Sequence, residues 1–182
     1  MKDDTYIEEA IRLLRLQKHD VVNYLQIVLG YIQLNKGTEA QKHIKNAMNE
    51  LNLKGSLLRI VHPRLLISLM SQIDKAFRLG IPLAIECKSN LKGIDIEEDL
   101  LIDLLEKTWD ELLVAQLKQP VEERHIQFKV DTDCSFRYSG TGFFNYISKE
   151  ELNELNSFSF KIGYEVVCSD ENLIIRNIID RG

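Results

Sequence analysis

One segment of the chain sets chemically versatile side chains at helical spacing: Lys18-His19-Asp20-Val21-Val22-Asn23-Tyr24-Leu25-Gln26. A neutral imidazole is a good nucleophile toward phosphorus. At roughly 100° per residue, Asn23 (i+4) and Gln26 (i+7) lie beside His19, about 120° from the centre of the same helix's apolar stripe. His19 is therefore expected to face solvent, where a second protein can bring a phosphoryl donor in line with it. Arg12, Arg15 and Lys18 supply positive charge along or near that face, which suits an acidic partner and a phosphorylated imidazole. Asp20 and Asn23 are placed to orient one ring nitrogen, although the helix turns Asp20 partly away. A solitary surface histidine more commonly just decorates a solvated helix, and His43, His62 and His125 are read that way.

The element that carries His19 is legible from periodicity. From about Thr5 to Leu34 the only helix breaker is Gly30, and Ile7, Ile11, Leu14, Val21, Leu25, Val28 and Ile32 recur at three-four spacing, as in an amphipathic helix of coiled-coil type. Asn35-Lys36-Gly37 ends it, with Gly37 expected as the left-handed cap, and Thr38-Glu39-Ala40-Gln41 has the form of a capping box. A second helix follows through Ala40, Ile44, Ala47, Leu51 and Leu58, its stripe interrupted by Lys54, until Pro63 forces a break. Two helices cannot bury both stripes. Association of two such hairpins into a four-helix bundle is the economical solution and predicts a homodimer.

Beyond residue 62 the pattern changes. A helix is expected from Pro63 to Gly80 and another over Glu97 to Lys118, with strands at 81–87, 126–130, 134–138, 164–168 and 173–178. The chain thus divides into a helical hairpin over 1–62 and an α+β part over 63–182, with helices on one face of a mixed or antiparallel sheet.

Composition narrows the function classes. With 182 residues, 45% hydrophobic and 28% charged, the chain reads as globular rather than disordered. A net charge of -5 and the lack of a dense Lys/Arg stretch disfavour nucleic acid as a partner. The apolar runs are too short to span a membrane and there is no signal-peptide core, so a cytoplasmic protein is expected. Cys87, Cys134 and Cys168 have no CxxC spacing and read as reduced thiols.

The string Lys18-His19-Asp20-x-x-Asn23-x-Leu25-Gln26-x-x-x-Gly30 resembles the phosphoacceptor helix of sporulation initiation phosphotransferase B and of the related sensor kinases that respond to citrate and C4-dicarboxylates. Pro63 to Gly80 is similar to the segment joining hairpin to ATPase-like domain in those kinases. The resemblance implies that His19 is the phosphoacceptor, supported by Asp20, Asn23, Gln26, Lys18 and Arg15, and that residues 63–182 derive from a histidine-kinase ATPase-like α/β sandwich.

That second part departs from the family at its nucleotide motifs. Where the family sets a magnesium-binding Asn after an acid, this chain has Glu106-Lys107, and a lysine cannot ligate Mg²⁺. Tyr138-Ser139-Gly140-Thr141-Gly142 keeps two glycines without the adenine-reading Asp and reads as a tight turn. No second glycine-rich loop follows, and no GxxxxGK motif appears. A degenerate ATPase-like domain implies a phosphotransferase without ATP chemistry. It would pass a phosphoryl group between response-regulator receiver domains, with no cofactor of its own and Mg²⁺ supplied by the receiver. A dimeric adaptor that binds a receiver or sensor kinase without being phosphorylated, and a divergent ATP-dependent histidine kinase, are the alternatives.

Overall fold

The computed structural model describes residues 3–92, 97–140, 148–161, 163–169 and 172–178. The chain forms two compact units, Met1–Ser56 and Leu57–Gly182. The division falls before Pro63 because Leu57–Arg59 forms a 3-10 turn whose Leu57 is fully buried and packs, with the following Ile60, into the second unit.

The first unit is an antiparallel hairpin of α1 (Asp3–Gln33) and α2 (Gly37–Ser56). Asn35 rather than Gly37 takes the left-handed conformation at the end of α1, with φ 54°. Its N–H donates to Ile32 O at 3.0 Å and the Lys36 N–H to Tyr31 O at 2.8 Å, which satisfies carbonyls the helix end leaves free. Asn tolerates this region better than other non-glycine residues. Gly37 is already helical, so Thr38 lies inside the first turn and not at the cap.

The α1–α2 seam is aromatic and polar. His43 of α2 lies between Tyr24 and Tyr31 of α1, with ring centroids 5.9 and 6.2 Å away. Tyr24 donates its hydroxyl to Glu50 Oε2 at 2.5 Å, and Lys54 Nζ stands 3.6 Å from Glu50 Oε1. Partial burial and the Glu50 carboxylate push the Tyr24 hydroxyl well above its ordinary pKa. The other apolar stripe has no neighbour within the hairpin. Ile7, Ile11, Leu14, Leu25, Leu29 and Ile32 of α1 and Ile44, Met48 and Leu51 of α2 are all exposed, and Leu25, Met48 and Leu51 line a shallow apolar groove between the helices.

The second unit is α+β, as expected. Its five-stranded sheet has the order β1-β2-β3-β5-β4, from β1 (Leu83–Cys87), β2 (Ile126–Val130), β3 (Phe136–Ser139), β4 (Tyr164–Ser169) and β5 (Asn172–Asn177). β1 and β2 pair in parallel through the long crossover that contains α4 (Glu98–Leu117), and the remaining pairs are antiparallel. Strand β2 alternates buried and half-buried side chains, as one covered face requires.

Pro63 opens α3 (Pro63–Arg78) at its first turn, where a missing N–H costs nothing, and Gly80 at φ 68° follows its end. Leu65, Leu69, Ile73 and Ala76 form the buried stripe of α3. α4 contributes the densest core, with Trp109 against Phe128 at 5.5 Å and Tyr138 at 5.4 Å. The same two helices are tied by the Arg64–Asp99 and Lys75–Asp110 ion pairs. A fifth helix, α5 (Lys149–Lys161), packs on α4 and β4. Its N-terminus carries a complete capping box: the Ser148 N–H donates to Glu151 Oε2 at 2.6 Å and the Glu151 N–H to Ser148 Oγ at 3.1 Å.

Candidate phosphoacceptor site

His19 stands on α1 with its side chain 70% exposed. Its Nδ1 lies 3.1 Å from Asn23 Nδ2 and 3.7 Å from Asp20 Oδ1. The i,i+4 relation puts Asn23 one turn above the ring, the geometry the spacing predicts. With Nδ2 toward the ring, Asn23 donates to Nδ1. Rotating the isosteric amide offers Oδ1 to an Nδ1–H instead, which leaves the Nε2 lone pair free. The Asp20 carboxylate favours that second arrangement, since it attracts a proton to Nδ1. Nε2 makes no hydrogen bond among the described residues, so it is the ring nitrogen open to an incoming electrophile.

The other residues singled out by sequence fall around this ring unequally. Arg15 and Lys18 are exposed and make no ion pair among the described residues, whereas Arg12 is forked onto Glu9 at 2.6 and 2.7 Å. Arg15 sits one turn below His19. Lys18 projects toward the exposed apolar stripe, between Leu14 and Val22 at i−4 and i+4. Gln26 is exposed two turns above the histidine and makes no hydrogen bond to it. Sequence reasoning overlooked the part played by His43, which is wedged between tyrosines with its Nε2 buried and without a hydrogen-bond partner among the described residues. Its place three residues after Ala40 and four before Ala47, on the seam side of α2, was the available signal.

In the second unit, the positions expected to replace the family's magnesium motif are committed elsewhere. Glu106 accepts a hydrogen bond from Ser68 Oγ at 2.7 Å, and the Lys107 ammonium lies 4.6 Å from the centre of the Phe158 ring of α5. Tyr138 and Ser139 belong to β3, and Ser139 donates its hydroxyl to Asn172 Oδ1 at 2.7 Å. The expected turn at Gly140-Thr141-Gly142 extends into residues outside the described ones. The three cysteines are free thiols. Among the described residues no cluster of His, Cys, Asp and Glu is arranged to hold a metal ion. No described helix is long and apolar enough to cross a membrane.

Residues 1–60 match the family model described as Sensor kinase SpoOB-type, alpha-helical domain. The match supports a two-component role of the histidine kinase-like or phosphotransfer kind. No curated protein sequence matches the chain. Among solved structures, the chain is similar to the cytoplasmic segment of histidine kinase QseC, at 14% identity and a TM-score of 0.46, over 62% of this chain and 70% of that one. It is also similar to the blue-light activated histidine kinase EL346 of Erythrobacter litoralis, at 13% identity and a TM-score of 0.32, over 96% of this chain and 61% of that one.

Proposed function

We propose that the protein is a histidine–aspartate phosphotransferase in which His19 relays a phosphoryl group between receiver domains of response regulators. The observation that carries this reading is the His19 ring itself: exposed, oriented through Nδ1 by Asn23 and Asp20, and open at Nε2, on a helix within the segment that matches a sensor-kinase helical domain.

In the forward step the Nε2 lone pair attacks the phosphorus of a receiver's aspartyl phosphate. The N–P bond forms as the P–O bond to the aspartate breaks, and the carboxylate leaves with the bonding pair. The Nδ1 proton stays in place, held by Asp20 and the Asn23 oxygen, and balances charge on the ring. The second step is the reverse, with the carboxylate of another receiver as nucleophile. Neither protein has to supply much covalent chemistry, so catalysis is alignment and charge compensation. Arg15, exposed one turn below the ring, is the cation on the histidine's side of the helix, and Mg²⁺ belongs to the receiver's acidic pocket.

Two further observations support the reading in its details. The exposed stripe of the hairpin calls for a second copy, giving a homodimeric four-helix bundle that leaves His19 on its outer surface. The engagement of Glu106 by Ser68 and of Lys107 by Phe158 supports a degenerate ATPase-like unit, residues 63–182 with the preceding turn, that does not phosphorylate His19 from ATP.

The test is a transfer assay with phosphorylated receiver domains. Acid-labile, base-stable label appears on the wild-type chain and is absent from His19→Gln. A stable receiver complex with no label transfer would replace the phosphotransferase with an adaptor, and label entering His19 from ATP alone would replace it with a kinase.

A further inference from the structure

We infer that the second unit carries an anion-binding cleft, lined by Arg59, Lys88, Ser89, Asn90 and Thr132, that takes the phosphomonoester of a small hydroxylated molecule, a sugar phosphate in chemical class. The cleft belongs wholly to the unit Leu57–Gly182, and the inference stands independently of the phosphorelay reading.

Three segments meet at the end of the sheet where β1 and β2 finish: the 3-10 turn Leu57–Arg59, the loop 88–92 after β1, and the turn 131–135 that joins β2 to β3. Hydrogen bonds pin them to one another. The Lys88 N–H donates to Val130 O at 2.8 Å, and the Val61 N–H donates to Asn90 O at 3.1 Å. His62 Nε2 lies 3.0 Å from Leu91 O. Ser89 Oγ accepts the Leu91 N–H and lies 3.3 Å from Cys134 Sγ in the opposite turn. The backbone is also strained at two places. Leu91 stands at φ 60° and Cys134 at φ 62°, in the left-handed region that leucine and cysteine seldom enter. Among the described residues the other non-glycine residue at positive φ is Asn35, which the end of α1 explains. Strain of this kind persists where surrounding contacts over-determine it, and it collects at ligand sites. Here both instances border one cleft.

The charges left over point to the ligand. Arg59 is exposed and makes no ion pair with a carboxylate among the described residues. Lys88 Nζ stands 3.5 Å from Glu86 Oε1 and 3.7 Å from Asp131 Oδ1. Both carboxylates are shared with other cations, Glu86 with Lys129 at 3.2 Å and Asp131 with Arg137 at 3.2 Å. Asp133 is taken by the N–H and hydroxyl of Ser135. Four cations thus face three carboxylates, a local positive excess in a chain whose net charge is -5. The Ser89 and Asn90 N–H groups and the Thr132 hydroxyl have no hydrogen-bond partner among the described residues and remain available as donors. A guanidinium fork beside an ammonium matches a dianionic phosphate better than a single carboxylate.

Size and lining set the rest of the ligand. At about 480 Å³ the cleft has the volume of a small-molecule site rather than that of a lone ion. Its lining holds no aromatic or aliphatic side chain, so a nucleotide base has nothing to stack on. The Asn90 Oδ1 is occupied by the Lys92 N–H, which leaves its amide N–H groups, with the Thr132 hydroxyl, for the hydroxyls of a sugar.

Calorimetry on the full chain tests this, with glucose 6-phosphate, inorganic phosphate, AMP and glucose as probes. Glucose 6-phosphate is expected to bind saturably at one site per chain, at least fivefold more tightly than inorganic phosphate or AMP, and glucose not at all. Binding should weaken from pH 7 to pH 5, as the ester takes up its second proton at a pKa of about 6. Arg59→Gln and Lys88→Gln, both at exposed positions where the circular dichroism spectrum should not change, are each expected to weaken it at least tenfold. Lys92→Gln removes an exposed charge from the same loop but outside the lining, and should alter the affinity less than twofold. No saturable binding of the ester, or binding untouched in Arg59→Gln and Lys88→Gln, would overturn the site. A tenfold loss in Lys92→Gln would overturn it too, as a general attraction of anions to the loop. Inorganic phosphate or AMP binding as tightly as glucose 6-phosphate would overturn the sugar-phosphate class.

Discussion

Replacing Leu25 with alanine tests the four-helix bundle most directly. Leu25 lies in the centre of the unpartnered stripe, 63% exposed, and lines the groove between α1 and α2. It therefore adds little to the hairpin's own packing and most of its area is left for a second copy. Fully burying a leucine is worth about 1.5–3 kcal/mol. Taking the exposed share and allowing for the carbon that alanine keeps leaves about 1 kcal/mol per copy. A symmetric dimer loses the contact twice, about 2 kcal/mol, which raises the dissociation constant about thirtyfold. Sedimentation equilibrium over a dilution series measures this directly, and circular dichroism confirms that the helices remain. A constant unchanged within threefold would refute the seating of the second copy on this stripe, and so would a monomeric wild type at tens of micromolar.

Three other outcomes follow from the packing. Tyr138→Phe removes a fully buried hydroxyl that has no hydrogen-bond partner among the described residues, so denaturant unfolding should show a neutral or stabilising change of up to about 1 kcal/mol, whereas a loss would mean an internal partner. Tyr24→Phe deletes the 2.5 Å bond to Glu50 and should destabilise the hairpin by about 1 kcal/mol, the low end for a bond to a charged group because Glu50 is partly solvated. Burial, and then the neighbouring Glu151, raise the pKa of Glu111; its ionisation thus costs the folded state stability above that raised pKa. Glu111→Gln should stabilise the second unit at neutral pH, with the gain shrinking as pH falls toward the ordinary glutamate value near 4.3; a gain that persists at pH 3.5 would contradict this cause.

The hairpin was legible because its signals are local. A three-four repeat and a break at 35–37 fix two helices without any knowledge of their neighbours, although α2 ends at Ser56 rather than running on to Pro63. The second stripe was legible too, since it exceeds what one hairpin can cover. Which residue takes the left-handed cap was not legible: Gly37 is the better residue for it by propensity, yet two backbone bonds from residues 35 and 36 settle the matter for Asn35. The β2 strand is found at 126–130 as its alternation dictates, while β1 begins two residues later than its apolar run, because the Ile81 N–H is taken by Ala76 O at the end of α3 and Pro82 has no N–H to give. Helix α5 escaped notice for a physical reason. Its sequence is polar and only Leu155 and Ser159 are buried, so it owes its place to a capping box and to packing against α4 and β4, and neither leaves a strong apolar period. Around His19 the sequence supplied the residues and their spacing. It could not show that Arg12 is taken up by Glu9.

All the groups that orient His19 come from a single turn of a single helix. Such an arrangement exists wherever that turn is helical, and no distant part of the chain has to hold it in register. Substitutions that accumulate in the sheet therefore leave the imidazole's geometry untouched. That insulation means that a substitution at Glu106 or Lys107, in the second unit, leaves the groups around His19 as they are.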